Sequence, residues 1–365
     1  MNLYGFFGVR RTRPTPVRSV RFRRRAVRLG LEQLEDRSVP ANFSAANISD
    51  LVNDINLANQ NAEADTITLA PGATFTLTTW DNWTDNTNGL PQITAGDNLT
   101  IVGNGDIIER STASPATFRL LDVASGASLT LEDLTLQGGY LWPSGANQAA
   151  QGGAISNHGS LTLQNVIVQD NTVHGIASDG TSPFLAEGGG IFSNGSLTME
   201  GCRVQNNLAA GGAGHDTFIF WGSAVPPADG GDGLGGGLYV AGGRVTMTDS
   251  TITRNTACGG DGGDGTINRV GYFAGGDGGS GFGGGLYLAG GTVTLRQLTV
   301  DANDALSGNG GQGRKRGTRG LGVGGGLYID AAAFVEIDAF SLGHAKHNHA
   351  STDDSDIHGS FSLIP

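Results

Sequence analysis

Gly235–Asn255 reads GGGLYVAGGRVTMTDSTITRN, and both of its ends recur along the chain. The opening returns as GGGIF at Gly188–Phe192, as GGGLY at Gly283–Tyr287 and as GGGLY at Gly324–Tyr328, with an earlier form, GGAIS, at Gly152–Ser156. The close, ITRN, returns as VQDN (Val168–Asn171), VQNN (Val204–Asn207) and VDAN (Val300–Asn303). From the Ile or Leu after the glycines to the Asn the step is 16, 16, 17 and 17 residues (155→171, 191→207, 238→255, 286→303). A step that constant in so biased a sequence means a repeated structural unit.

Inside the unit the residues alternate with period two. GGG-Leu-Tyr predicts a first short strand, VTMT a second, and TITRN-type residues a third. Leu238, Val245, Met247 and Ile252 then point inward in one coil, and Leu286, Val293, Leu295 and Leu298 in the next. Stacking at the ~4.8 Å inter-strand spacing pairs each strand with its copies. Asn171, Asn207, Asn255 and Asn303 fall at one corner, where side-chain amides can hydrogen-bond along a column. The glycine phrase is not a phosphate cradle, because no helix follows it.

Glycine accounts for 62 of 365 residues, more than double the usual share, but without the G-X-Y period of collagen. The net charge of −12 hides an asymmetry: residues 1–40 hold ten Arg against three acidic residues, and the rest 12 basic against 31 acidic. An acidic body with only two lysines, Lys315 and Lys346, argues against nucleic acid as a partner. No stretch approaches the ~20 apolar residues of a membrane helix. Cys202 and Cys258 belong to different coils and different sides, which disfavours a disulfide.

Outward from the repeats, residues 1–41 form a basic leader that ends in LEQLEDRSVPA (Leu31–Ala41). Residues 47–62 predict one amphipathic helix, with Leu51, Val52, Ile55, Ala58 and Ala62 on one face and Asn47 as cap. Such a helix plugs the open end of an all-β body. Residues 42–365 then make one domain: helix, alternating strands from Asp65, and glycine-phrase coils over 152–365. Between each Asn and the next phrase run long, unequal stretches: Val173–Glu187, Leu208–Leu234, Ala257–Phe282 and Ala305–Val323. They leave from one corner and are expected to form a Gly- and Asp-rich flap along one side.

The Gly-Gly-Ala-Ile phrase with its hydrophobic-x-x-Asn close resembles the repeats of polymorphic outer-membrane proteins. The DTITLAPG opening, the LPQIT…LTIVGNG coil and the closing HNHASTDDSDIHG resemble right-handed parallel β-helix (pectin-lyase-like) proteins of planctomycetes. LEQLEDRSVPA resembles an export-associated motif of planctomycete surface and secreted proteins. The resemblance implies an all-β, right-handed parallel β-helix with an N-terminal capping helix and glycine-rich side loops. It also implies an extracellular or cell-surface location. That fold carries lyases, hydrolases and adhesins alike, so function rests on the sites.

No lyase or galacturonase motif stands in the chain, so no catalytic residue is assigned. Asp170 with His174, Asp216 with His215, and Asp353, Asp354 and Asp356 with His358 read as loop residues and a closing coil. The spacing of His344, His347 and His349 could place two imidazoles on one metal, but a zinc site takes three or four ligands, and they read as solvated loop histidines. GGDGGDGTI (Gly259–Ile267) approximates a calcium-binding nonapeptide, so Asp261 and Asp264 are candidate calcium ligands, a plain Gly/Asp loop being the other reading. Trp221, Tyr272 and Phe273 are candidate glycan-stacking residues on the flap, with Trp80, Trp83 and Trp142 nearer the helix. GRKRGTRG (Gly313–Gly320) is a lone basic loop. The expected function is a non-enzymatic surface or secreted protein that contacts extracellular polysaccharide or surface components. The alternative is a polysaccharide lyase or glycoside hydrolase of the same fold.

Overall fold

In the computed structural model the described residues are 8, 40–84, 86–142, 149–176, 185–221, 223–265 and 273–365. The chain divides into two units, Met1–Arg37 and Ser38–Pro365, of which the second is a parallel β-helix. One coil shows how it is built. Strands Leu238–Val240, Arg244–Thr248, Thr251–Thr253, Thr256–Cys258 and Gly281–Phe282 follow one another around the body. Each pairs in parallel and in register with its copy in the next coil: Leu238 with Leu286, Val245 with Val293, Ile252 with Val300, Ala257 with Ala305 and Phe282 with Val323. The last two strands lie in stretches expected to be flap loop. They were hidden because two or three residues, mostly Gly, Ala or Thr, are too few to show alternation.

Three of the turns between strands each carry a column of left-handed residues. The first column is Asp133, Asn165, Gly201, Asp249 and Gln297. The second precedes the ladder asparagines: Asp170, Asn206, Arg254, Ala302 and His347. A left-handed non-glycine residue costs roughly 1–2 kcal/mol, so Arg254 and Ala302 are held there by the stack rather than by preference. The third column is the first glycine of each phrase, from Gly152 to Gly324. Here a side chain is impossible as well as strained: a Cβ on Gly235 would lie 2.3 Å from the Leu238 carbonyl oxygen.

All eight predicted inward residues are buried in one continuous apolar core that runs from Ala45 to Ile337. Leu298, however, stands at the level of Ser250, two positions before the Ile252–Val300 column. Burying such a side chain is worth roughly 1.5–3 kcal/mol. A single coil leaves both flat sides open, so that gain belongs to the stack. The capping helix is Ile48–Ala58, with Leu51, Ile55 and Ala58 buried in the same core. It stops four residues short of the predicted end, and Ala62 is exposed. The asparagines after it make other bonds: Asn59 Oδ1 accepts from Thr94 N at 3.0 Å, and Asn61 Oδ1 accepts from Glu63 N at 2.8 Å. Such side-chain competition with the backbone ends helices.

Behind the second corner the asparagines form a hydrogen-bonded column. Asn171 Nδ2 donates to Asn207 Oδ1 at 2.9 Å, Asn207 to Asn255 at 2.9 Å, Asn255 to Asn303 at 3.0 Å and Asn303 to Asn348 at 2.9 Å. Asn348 then donates to Asp356 Oδ1 at 3.0 Å, which ends the column. Each Oδ1 also accepts the backbone N–H of the preceding asparagine, as in Asn207 N to Asn255 Oδ1 at 3.0 Å. Asn348 and Asp356 escaped the sequence reading because the step from Leu327 to Asn348 is 21 residues (327→348) rather than 16 or 17.

The flap has a fold of its own. In 259–265, Gly259, Gly262 and Gly265 donate to Leu306, Asn309 and Gln312 of the next coil. Gly260 and Gly263 donate instead to Gly231 and Ala228 in the returning limb of the coil before. The third position of each triplet is a side chain: Asp264 N donates to Asp216 Oδ1 at 2.7 Å. The returning limb 275–281 repeats the scheme, with bonds to Lys315, Thr318 and Leu321, and to Gly263 and Gly260. A three-residue period with no internal hydrogen bonds is polyproline-II geometry, here packed into a cross-bonded bundle. Glycine is required where the limbs touch, since a Cβ on Gly260 would lie 2.1 Å from Gly212 O.

Asn255→Ala strands the Asn207 N–H and amide and the Val204 carbonyl, which Asn255 bonds now satisfy. At about 1–3 kcal/mol per orphaned buried group, denaturant unfolding should show a loss of about 3 kcal/mol or more; a loss under 1 kcal/mol would contradict the column's role. Gly260→Ala should open the flap but spare the body. Limited proteolysis should cut the variant first within 211–233 or 259–281, with circular dichroism unchanged.

Candidate functional site

The outward residues of one face stack in register: Asp122, Ser156, Phe192, Tyr239, Tyr287, Tyr328 and His358. From Phe192 onward the rings lie face to face, with centroids 5.5, 5.1, 4.9 and 4.7 Å apart and planes within 20°. The strand spacing imposes this, because equivalent positions repeat every ~4.8 Å. Stacking uses up the ring faces, so the column presents edges and hydroxyls outward and is not a sugar-stacking platform. Phe282, on the neighbouring ladder, packs against Tyr328 at 5.0 Å. Burial pushes the Tyr287 phenol up to about 12, helped by Tyr328 and nearby carboxylates. Tyr239 and Tyr328 are also raised, first by burial.

At its N-terminal end the column opens into a depression of about 620 Å³ lined by Gln92, Asp122, Gln151, His158, Phe192 and Asn194 among others. Two buried carboxyls flank it and are held by amides. Gln92 Nε2 donates to Asp122 Oδ2 at 2.5 Å, and Gln151 Nε2 to Glu187 Oε2 at 2.7 Å. Burial raises the Glu187 pKa and the Gln151 bond partly opposes it. Ser156 Oγ lies 3.0 Å from His158 Nε2, and His158 Nδ1 lies 3.0 Å from Asn194 Oδ1. The connectivity is that of a nucleophile, base and orienter. Ser156 is fully buried, however, and both imidazole nitrogens are engaged, so the chain of bonds fixes His158 and offers no nucleophile. Sequence reasoning missed this region. The aromatic after each glycine phrase was its only signal.

On the flap, Phe218–Phe220 pairs antiparallel with Ser223–Val225, and Trp221 follows the first strand with a left-handed φ of 52°. Trp221 is 92% exposed, with Phe220 edge-on at 6.1 Å. Phe273 is half-buried and its carbonyl accepts from Arg314 N at 2.9 Å. Tyr272 lies outside the described residues. Asp261 and Asp264 do not converge: Asp261 Oδ1 accepts from Asn309 N and Asp264 Oδ1 from Gln312 N, each at 2.6 Å. They tie successive limbs together, as Asp277 does with Thr318 N at 2.7 Å. Among the described residues no group of three metal-ligating side chains is brought together.

The remaining histidines have separate partners. His174 stacks on Trp142 at 5.3 Å, and burial lowers its pKa. His215 packs edge-on to Phe218 at 5.1 Å. His344 lies on Phe340, His347 Nδ1 is 2.8 Å from Asp301, and His349 Nδ1 is 3.4 Å from Asp304. Asp354 pairs with His358 at 2.5 Å, while Asp356 closes the asparagine column. Gly313–Gly320 is largely exposed where the last flap limb turns. Cys202 and Cys258 are free. No helix among the described residues is long and apolar enough to cross a membrane.

No protein-family profile matches the chain, and no curated protein matches it significantly.

The tyrosine column carries a pH dependence. A phenol whose folded pKa is raised favours the neutral form in the folded state. Its stabilisation is therefore whole below the unfolded value of 10.0 and is lost as pH rises through about 12. Alkaline titration should show phenolate absorbance from the column rising together with unfolding. Ionisation of all six tyrosines near pH 10 in a folded protein would contradict the buried column.

Proposed function

We propose that this chain is a non-enzymatic, secreted or cell-surface β-helix protein of the pectin-lyase-like, polymorphic-outer-membrane-repeat type, acting by contact with glycan or surface components. The observation that carries this reading is the display of Trp221. It stands almost wholly in solvent, in a strained backbone conformation, on a flap whose limbs are cross-bonded. Strain and exposure at a large aromatic are otherwise unfavourable, and they cluster where a surface is used. The body is suited to contact over an extended partner, because its side chains repeat along one axis. The motif at Leu31–Ala41 supports an extracellular location.

The second reading, a polysaccharide lyase or glycoside hydrolase, rests on the depression lined by Asp122 and by Gln151, which donates to Glu187. Retention of the full chain on insoluble polysaccharides and cell-wall material separates the two. The wild type should be retained without releasing oligosaccharide, with or without calcium. Trp221→Ala should weaken retention by about tenfold, the effect of losing ~1.4 kcal/mol. Oligosaccharide release that disappears in Asp122→Asn would establish the enzymatic reading instead.

A further inference from the structure

We propose that the recess between the capping helix and Trp80 is a binding site for a single neutral pyranose ring, such as a glycan terminus. The recess holds about 320 Å³, at the small end for ligand pockets, which suits one ring. Its helix wall is built by spacing. Ile48 and Val52, four apart, give an apolar strip, and Ser49 and Asn53, also four apart, give a polar strip beside it. The facing wall is the chain where it leaves strand Thr74–Leu77. Leu77 and Trp80 give apolar surface, and Thr78, Thr79 and Asp81 give hydrogen-bonding groups.

That wall is fixed before any ligand arrives. Ser111 N donates to Leu77 O at 2.8 Å, Ser114 Oγ to Thr78 O at 2.6 Å, and Asp81 N to Asn88 O at 2.7 Å. Trp80 is 43% exposed, and its edge-to-face contact with Trp83 at 6.3 Å sets the ring's tilt. Preorganisation of this kind lowers the ordering cost of binding.

The chemistry selects the ligand class. A pyranose has an apolar C–H face and a rim of hydroxyls, which match an aromatic-aliphatic wall bordered by hydroxyl, amide and carboxylate groups. Asp81 is the ionisable residue of the lining, and no Lys, Arg or His joins it. The acidic excess of the body adds to that field, so phosphates, sulfates and uronates are disfavoured. An acyl chain would desolvate Ser49, Asn53, Thr78 and Thr79 without partners. The site rests on its own geometry and not on the flap.

The test uses the full chain and saturation-transfer NMR with the methyl glycosides of glucose, galactose, mannose and N-acetylglucosamine, and with methyl glucuronide. At least one neutral glycoside should bind saturably. Trp80→Ala should weaken it by about tenfold or more. Asn53→Trp, at an exposed helix position, should block the recess while leaving circular dichroism unchanged. Trp80→Ala should cause the same loss in a Trp221→Ala background, which separates this site from the flap. The proposal is overturned if no neutral glycoside binds, if the glucuronide binds as tightly, or if both recess variants bind as the wild type does.

Discussion

The asparagine column from Asn171 to Asn348 is the constraint on which the rest of the body depends. It lies where the main apolar core ends and the small cluster of Leu141, Ala150, Val173, Ala186 and Ala209 begins. Each amide satisfies a buried carbonyl and a buried N–H at a corner where strand pairing lapses, as Asn255 does for Val204 O and Asn207 N. Buried backbone groups left unpaired are costly. The third glycine of the GGG phrases packs on the same amides, the GGAIS phrase carrying Ala154 at that place. A Cβ on Gly237 would come within 3.0 Å of the Asn255 amide. Glycine phrase and distant asparagine are therefore two halves of one packing contact.

In-register stacking turns any residue of the repeat into a column. This explains three features that have no local cause. The tyrosines stack because one strand position is repeated at the inter-strand distance. The flap aspartates become rungs, each accepting the N–H of the limb 41 to 48 residues further on. Left-handed corners tolerate Arg254, Gln297 and Ala302 because the coils on both sides dictate the turn.

The same geometry divides the molecule into fixed and displayed surfaces. Aromatics on the lateral column have no free faces, and the candidate calcium aspartates have backbone partners. Among the exposed rings, Trp221 lies on the flap hairpin and Trp80 beside the capping helix, where the chain departs from the coil and no copy stacks on it.

The amino-acid sequence by itself determined the coil. The constant step from glycine phrase to asparagine, the inward Leu, Val, Met and Ile residues and the capping helix were all legible, because each depends on short-range periodicity or on repetition. The helix end was not, since Asn59 bonds to Gln92 and Thr94, which only the folded first coils bring near. Nor were the ladder's last members, Asn348 and Asp356, whose spacing differs from the repeat. Only the tertiary structure decided the fate of the polar and aromatic candidates. Asp261 and Asp264 could be ligands or rungs, and His344, His347 and His349 could converge or separate. Those choices depend on which residues of other coils stand within about 3 Å, and spacing along one coil carries no record of that distance.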